Sequence, residues 1–372
     1  MQPYLRANIM VPAGKKVRTN AGIELGRKIM ALSSIVRRSA LARHGRRIAI
    51  AGSATAVLLG TAWQPATSAE LKEIDFVEAV HNLGYINLYV GIHAGLFEKH
   101  GLKLNLSAAG GDTQAFAAVL GKSAQFAIGD ATMVQMSRER GGPGMVIGAI
   151  IQRAHYFGVS KNLDKLTDVS QFKGLTVTTS PDPNTNYAVT KKMLEENGLK
   201  VGVDTIILEV NPGTEIGSML AGQSDMAITY QPSVAAAEAQ GAKIVWDFAT
   251  YMGPFNNTGI MVLPEYVKAN PDVVQALVTA LEEAARLQYS DTDFAKEVAR
   301  KEFPDLPAEV VNAAIDAQLK YKIPAETVRI DRAQWKTMID MHKYLGDIEG
   351  TLSFEDIVDN SFADKAIKSL GN

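Results

Sequence analysis

From Glu73 onward, short apolar runs of strand length alternate with longer amphipathic stretches, and the alternation passes through two successive blocks. This pattern predicts strands interleaved with helices, and so an α/β fold in which crossover helices cover a mostly parallel sheet. In the first block the periodicity predicts strands near 73–80, 102–107, 125–129 and 145–151. Helices fall between them near 86–99, 113–121 and 131–139. The second block repeats the scheme with strands at 175–179, 205–210, 225–229 and 243–247 and helices at 185–197, 213–221 and 232–240. Beyond it the chain turns helical, near 271–289, 293–302, 307–320 and 332–345, a set expected to pack back onto the first block.

One internal similarity supports two equivalent halves. The run Gly121-Lys122-Ser123-Ala124-Gln125-Phe126-Ala127-Ile128 parallels Gly222-Gln223-Ser224-Asp225-Met226-Ala227-Ile228 with a single gap. Each run reads as a helix end, a glycine turn and a buried strand. The carboxyl ends of these strands are where open α/β sheets bind ligands.

Charge separates the chain into unlike parts. Residues 1–69 hold eleven Lys and Arg against Glu24 alone, whereas the remainder holds 27 basic and 39 acidic residues. A basic leader before an acidic body marks a targeting segment and argues against nucleic acid as a partner of the folded part. Arg46-Arg47 precede an uncharged run from Ile48 to about Trp63, and the small residues Pro65 to Ala69 follow. The run is short for a membrane span, so it reads as an export signal cleaved after Ala69, by the Sec or the twin-arginine route. The chain contains no cysteine, which removes disulfides, thiolate metal sites and cysteine nucleophiles.

Catalytic constellations are missing. The sequence has no phosphate-binding P-loop, no HExxH and no GxSxG. Gly141-Gly142-Pro143-Gly144 precedes a strand, which suits a turn better than a phosphate cradle. His93 and His100 share a helical face with no third ligand near them in sequence, a weak metal signal. Neither metal nor cofactor is expected.

Taken in order, Gly84-Tyr85, Leu88-Tyr89-Val90-Gly91, Gly95-Leu96-Phe97-Glu98-Lys99-His100-Gly101-Leu102, Phe172-Lys173-Gly174, Leu220 to Asp225, Tyr230-Gln231-Pro232, Ala239-Gln240-Gly241 and Val358-Asp359-Asn360-Ser361-Phe362 resemble the nitrate/sulfonate/taurine-type periplasmic solute-binding proteins of ABC importers. The resemblance implies a type II periplasmic-binding fold, with two α/β lobes joined by two crossing segments around a ligand cleft. It implies a monomer that does no chemistry and delivers its solute to membrane permease subunits. The crossings are expected near 152–160 and 247–256. Lobe one would then comprise 70–156 plus 250–372, and lobe two 157–249. Gln125 stands where the family usually carries an aspartate, which Asp225 keeps in the second half. A yeast-type pyrimidine synthase and porphobilinogen deaminase share this fold but depend on cysteines, so neither activity transfers.

Cleft residues are expected on loops after strands and in first helical turns, where free backbone N–H groups favour acceptors. The candidates in the first half are Asn82, Tyr85, Asp112 and Asp130, with Arg153 and His155 on the outgoing crossing. The second half offers Ser180, Asn184, Thr185, Asn186, Tyr230 and Gln231, and the return crossing offers Phe255 and Asn256. Each polar member is equally suited to capping its own helix or turn. Carboxylates, amides and rings outnumber the one clear cation, Arg153. This favours an aromatic or heterocyclic solute against Tyr85, Tyr230 and Phe255, with an organic sulfonate or carboxylate held by Arg153 as the competitor. An enzyme of small-molecule metabolism and a periplasmic sensor module are the alternative functions.

Overall fold

A computed structural model describes residues 70–371 apart from Pro183. The leader and its cleavage point therefore lie outside the described residues, as does Pro183 of the 180–186 loop. Among the described residues ten strands form two sheets: β1 (Lys72–Glu78), β2 (Leu102–Ala108), β3 (Phe126–Gly129), β4 (Met145–Arg153), β5 (Phe157–Ser160), β6 (Thr176–Thr179), β7 (Ile206–Glu209), β8 (Met226–Thr229), β9 (Lys243–Asp247) and β10 (Pro254–Val262). The first sheet runs β2-β1-β3-β10-β4 and the second β7-β6-β8-β5-β9. In each, three parallel strands are followed by one strand antiparallel to both its neighbours.

The two antiparallel strands are the exchange between the halves. The chain leaves β4 at Arg153 and enters the second sheet as β5 at Phe157; it leaves β9 at Asp247 and re-enters the first sheet as β10 at Pro254. Central strands β3 and β8 are buried along their whole length, as near-continuous apolar runs covered on both faces should be. At the sheet edge, β2 instead alternates Leu102, Leu104 and Leu106 with Lys103 and Asn105.

Most predicted elements are present; the helices Pro264–Ala269 and Ser361–Leu370 were not expected, and three further departures bear on the site. The helix expected over 86–99 is broken into Ile86–His93 and Leu96–Lys99, because Gly95 takes a left-handed φ of 66°. Both exchange strands escape sequence patterning: β10 contains Pro254, two asparagines and Gly259, a poor strand composition imposed by partners on both sides. The C-terminal helices also do more than return to the first half. Pro271–Ser290 packs on Ile86–His93, yet Ala308–Lys320 touches Ser233–Glu238, and Arg332–Leu345 touches Thr185–Glu196 of the second half.

The internal similarity is real and ungapped in space. Asp75 N donates to Gln125 Oε1 (2.7 Å), just as Thr176 N donates to Asp225 Oδ2 (2.8 Å), so Gln125 does in one half what Asp225 does in the other. The left-handed turn residue preceding them is Lys122 (φ 62°) in the first half and Gly222 (φ 72°) in the second. Gly222 thus matches Lys122 rather than Gly121.

Candidate ligand cleft

At the carboxyl edge of the first sheet, Asp112 opens the helix Asp112–Leu120, and its Oδ1 accepts Asp130 N at 2.8 Å. The strand end must be glycine for this approach, since a Cβ on Gly129 would lie 2.6 Å from Asp112 Oδ1. Asp130 turns its other way: Oδ1 accepts from Thr132 N (2.9 Å) and Thr132 Oγ1 (2.5 Å), and Oδ2 lies 3.4 Å from His342 Nε2. Asp347 holds His342 Nδ1 at 3.0 Å.

Burial opposes charge on His342, but Asp130 and Asp347 outweigh it and raise its pKa to about 9. Burial likewise opposes charge on Asp130, and His342 and Thr132 prevail and hold that carboxyl below its ordinary range. For Asp112 the balance tips the other way: burial and then the Asp130 charge push it up to about 6, against backbone hydrogen bonds and the weaker pull of His342. Asp130 is therefore engaged structurally while Asp112 is left open. His342 had no sequence signal, being 212 positions away from Asp130 on a C-terminal helix.

Above these carboxyls sits an aromatic group built on the outgoing crossing. The His155 ring lies 4.4 Å from Tyr156 at 30° and 5.5 Å from Tyr230 at 74°, and the two tyrosine rings are 6.2 Å apart, edge to face. Burial lowers the His155 pKa to about 4, so its imidazole is neutral. Burial followed by the charges of Glu215 and Asp112 takes the Tyr230 phenol to about 12. Tyr85 is raised by burial and then by Asp112 and Glu78, with Tyr156 and Tyr230 also within electrostatic reach. Tyr156, which sequence reasoning passed over beside His155, hydrogen-bonds the Thr185 side chain and links the crossing to the second half.

The second half presents a different picture, because its polar residues satisfy one another. Glu215 is fully buried and accepts from Ser180 Oγ (2.6 Å), Gly213 N (3.1 Å) and Thr229 Oγ1 (3.3 Å). Asn186 donates to Ser180 Oγ (3.1 Å) and to the Ile228 carbonyl (3.2 Å), and accepts from Tyr187 N. Asn184 is exposed, with its amide on the Pro181 carbonyl at 2.7 Å. In the first half Asn82 is similarly committed, its Oδ1 accepting from Gly84 N at 2.7 Å. Glu215 escaped notice as one acid within a predicted helix.

Three candidates have no such commitment. His155 Nδ1, Gln231 Nε2 and both amide atoms of Asn256 are buried without a hydrogen-bond partner. Gln231 uses only its Oε1, on Ala235 N at 3.1 Å. Asn256 and the buried Phe255 lie where the β10 register slips against β4, between Pro254 and Thr258. Arg153 is not among this group: it lines a separate recess with Ala249, Thr250, Lys320, Tyr321 and Lys322. His93 and His100 go to different acids, Glu302 at 2.5 Å and Glu283 at 2.7 Å. No cluster of three metal-ligating groups occurs among the described residues.

A family model described as NMT1/THI5 like matches residues 82–294. No curated protein sequence matches the chain. Among solved structures it is similar to the alkanesulfonate-binding protein SsuA from Xanthomonas axonopodis pv. citri bound to MOPS, at 16% identity and TM-score 0.62, over 79% of this chain and 100% of that one. The periplasmic nitrate-binding protein NrtA from Synechocystis PCC 6803 gives 13% identity and TM-score 0.63, over 81% and 89%. The desulfurization enzyme DszB gives 13% and 0.62, over 81% and 100%. At these identities the likeness is one of fold, the two-lobed type II periplasmic-binding architecture, which carries both receptors and an enzyme.

Proposed function

The chain belongs to the NMT1/THI5-like family, and from that premise we infer that it is a periplasmic receptor that delivers a small planar aromatic or heterocyclic solute to an ABC permease. The lobes are residues 70–156 with 250–372, and residues 157–249, closing on the solute as an exported, cofactor-free protein. One observation carries this reading: on the two crossings and at the end of β8, His155 Nδ1, Gln231 Nε2 and the Asn256 amide are buried and unpartnered, and the His155 ring packs against Tyr156 and Tyr230. An unpaired buried polar group costs about 1–3 kcal/mol, and a solute that meets donor and acceptor at once removes that cost. Asp112 suits a donor on the solute, and the rings suit a flat one. A carboxyl at the wall and a cation facing elsewhere both argue against an anionic solute. The cysteine-dependent activities that share this fold lack their nucleophile here, because the chain has no cysteine.

Thermal-shift screening against heterocycles, aromatic acids, sulfonates and carboxylates tests the reading. A neutral or cationic heterocycle at 100 times its dissociation constant should stabilise the protein by about 2.7 kcal/mol. Tyr230→Ala should remove that shift while leaving the fold intact by circular dichroism. A panel-wide absence of shifts, or turnover of a panel member by the purified protein, rejects the receptor reading.

A further inference from the structure

Two residues before His155, the same crossing presents the opposite chemistry. Arg153 lines a recess of about 200 Å³ whose other walls are Ala249, Thr250, Lys320, Tyr321 and Lys322. Its parts come from three places: the end of β4, the helix Phe248–Met252 that begins the return crossing, and the turn after Ala308–Lys320. Backbone hydrogen bonds fix that turn beside Arg153. Lys322 N bonds the Leu319 carbonyl (3.1 Å) and Ile323 N the Gln318 carbonyl (3.0 Å), while Gln152 N donates to the Ile323 carbonyl at 3.0 Å and Ala325 N to the Ile150 carbonyl at 2.8 Å.

Two of the three cations in the recess have no ion-pair partner among the described residues. Among the described residues neither Arg153 nor Lys320 has an acidic partner, and the Lys320 ammonium rests 5.5 Å from the centre of the Tyr321 ring. Lys322 shares its charge with Glu326 at 2.9 Å, both side chains being exposed. The neighbouring carboxylate, Asp247, is taken up by Ala249 N (2.9 Å), Thr250 N (3.3 Å) and Thr250 Oγ1. A half-buried guanidinium without an anion is an unusual resting state, since Arg offers a planar fork of donors matched to oxyanions. A water's share of liquid volume is about 30 Å³, so the recess takes one tetrahedral anion with room for solvent.

We propose that this recess at the back of the hinge binds a small oxyanion of phosphate or sulfate size, with Arg153 as the fork and Lys320 as the second charge. The site is separate from the aromatic cleft, since none of His155, Tyr156 and Tyr230 lines it. Its walls belong to both crossings and to the C-terminal helices, so an occupant ties the two halves together behind the cleft.

The test is calorimetric titration of the purified protein with inorganic phosphate and with sulfate, at ionic strength held constant with sodium chloride. The wild type should bind saturably. The Arg153→Gln/Lys320→Gln double variant should weaken binding by about tenfold or more, and Tyr230→Ala by less than about twofold. Lys320→Gln alone changes an exposed side chain, and it should still weaken binding should the Arg153 variant fail to fold. Absence of saturable binding, retention in the Lys320 and double variants, or loss in Tyr230→Ala overturns the proposal.

Discussion

Asp112 and Glu215 open corresponding helices in the two halves of the molecule, Glu215 one turn nearer the shared helix end at Leu120 and Leu220, and they have opposite fates. Each is the first residue of the helix leading into the central strand of its sheet, Asp112–Leu120 before β3 and Glu215–Leu220 before β8. The strand registers pair Phe76 with Phe126 and Val177 with Met226, which sets Ala79 opposite in role to Ser180, and Gly129 to Thr229. In the second half those positions carry hydroxyls, and both donate to Glu215. In the first they carry a methyl group and a hydrogen, so Asp112 is left with a backbone amide and the nearby phenols. One topology thus yields a lock in one lobe and an open carboxyl in the other, and two side chains decide which.

The sharpest way to break this comparison is to remove the lock. Glu215→Ala leaves Ser180, Thr229 and Gly213 N without their shared acceptor in a fully buried site, and should lower stability by about 3–5 kcal/mol in urea unfolding. Asp112→Ala at neutral pH should cost less than half as much, because only the Asp130 amide loses a side-chain partner. Equal losses would mean that the two carboxyls are alike after all.

A second effect is confined to the open carboxyl and depends on pH. The folded Asp112 pKa, about 6, stands above its ordinary value of 3.8, raised by burial and by Asp130. The folded state then holds a proton that the unfolded chain has released, so this contribution is full below pH 3.8 and is lost as pH rises through 6. Over that window it amounts to something on the order of 3 kcal/mol. Asp112→Asn should flatten the stability profile between those limits; an unchanged slope would assign it to another group.

Between the lobes, Asn256 separates the needs of folding from those of binding. Its amide is fully buried with neither atom paired, so Asn256→Leu should raise the stability of the unliganded protein by about 1 kcal/mol. The same variant should lose the solute-induced thermal shift. Stability gained with the shift intact would show the amide to be idle.

Much of this architecture was readable because buried parallel strands and their crossover helices write themselves in apolar runs and helical periods. Sequence patterning locates β3, β8 and the helices about them, and it names Asp112, His155, Tyr230, Gln231 and Asn256 as cleft candidates, a role that ligand titration of their variants tests. It was blind where structure is imposed from outside. Strand β10 has a turn-like composition and is extended because β3 and β4 flank it; His342 reaches Asp130 from a helix late in the chain. Direction was equally hidden: Arg153 and His155 lie two residues apart, one the last residue of β4 and the other beyond it, and one lines the recess while the other packs on the aromatic rings. Ser180 and Asn186 bond each other, and the carboxylate that engages Ser180, Glu215, has no local signature in the sequence.

The smallest effect concerns the turns that follow the two compared helices. Lys122 and Gly222 both take left-handed backbone angles, φ 62° and 72°, but only the glycine does so without a Cβ clash. Lys122→Gly should therefore stabilise the protein by up to about 1 kcal/mol, reduced by the greater freedom of glycine in the unfolded chain. It also removes the Lys122–Glu265 ion pair at 2.6 Å, whose partners are 69% and 64% exposed, a contact that salt screens. The gain should accordingly grow when the melt is repeated at high salt. Gly222→Ala, the reverse insertion of a Cβ, should cost about 1 kcal/mol. If Lys122→Gly destabilised the protein at every salt concentration, the first-half turn would owe its shape to the lysine itself, and its equivalence with the second-half turn would fail.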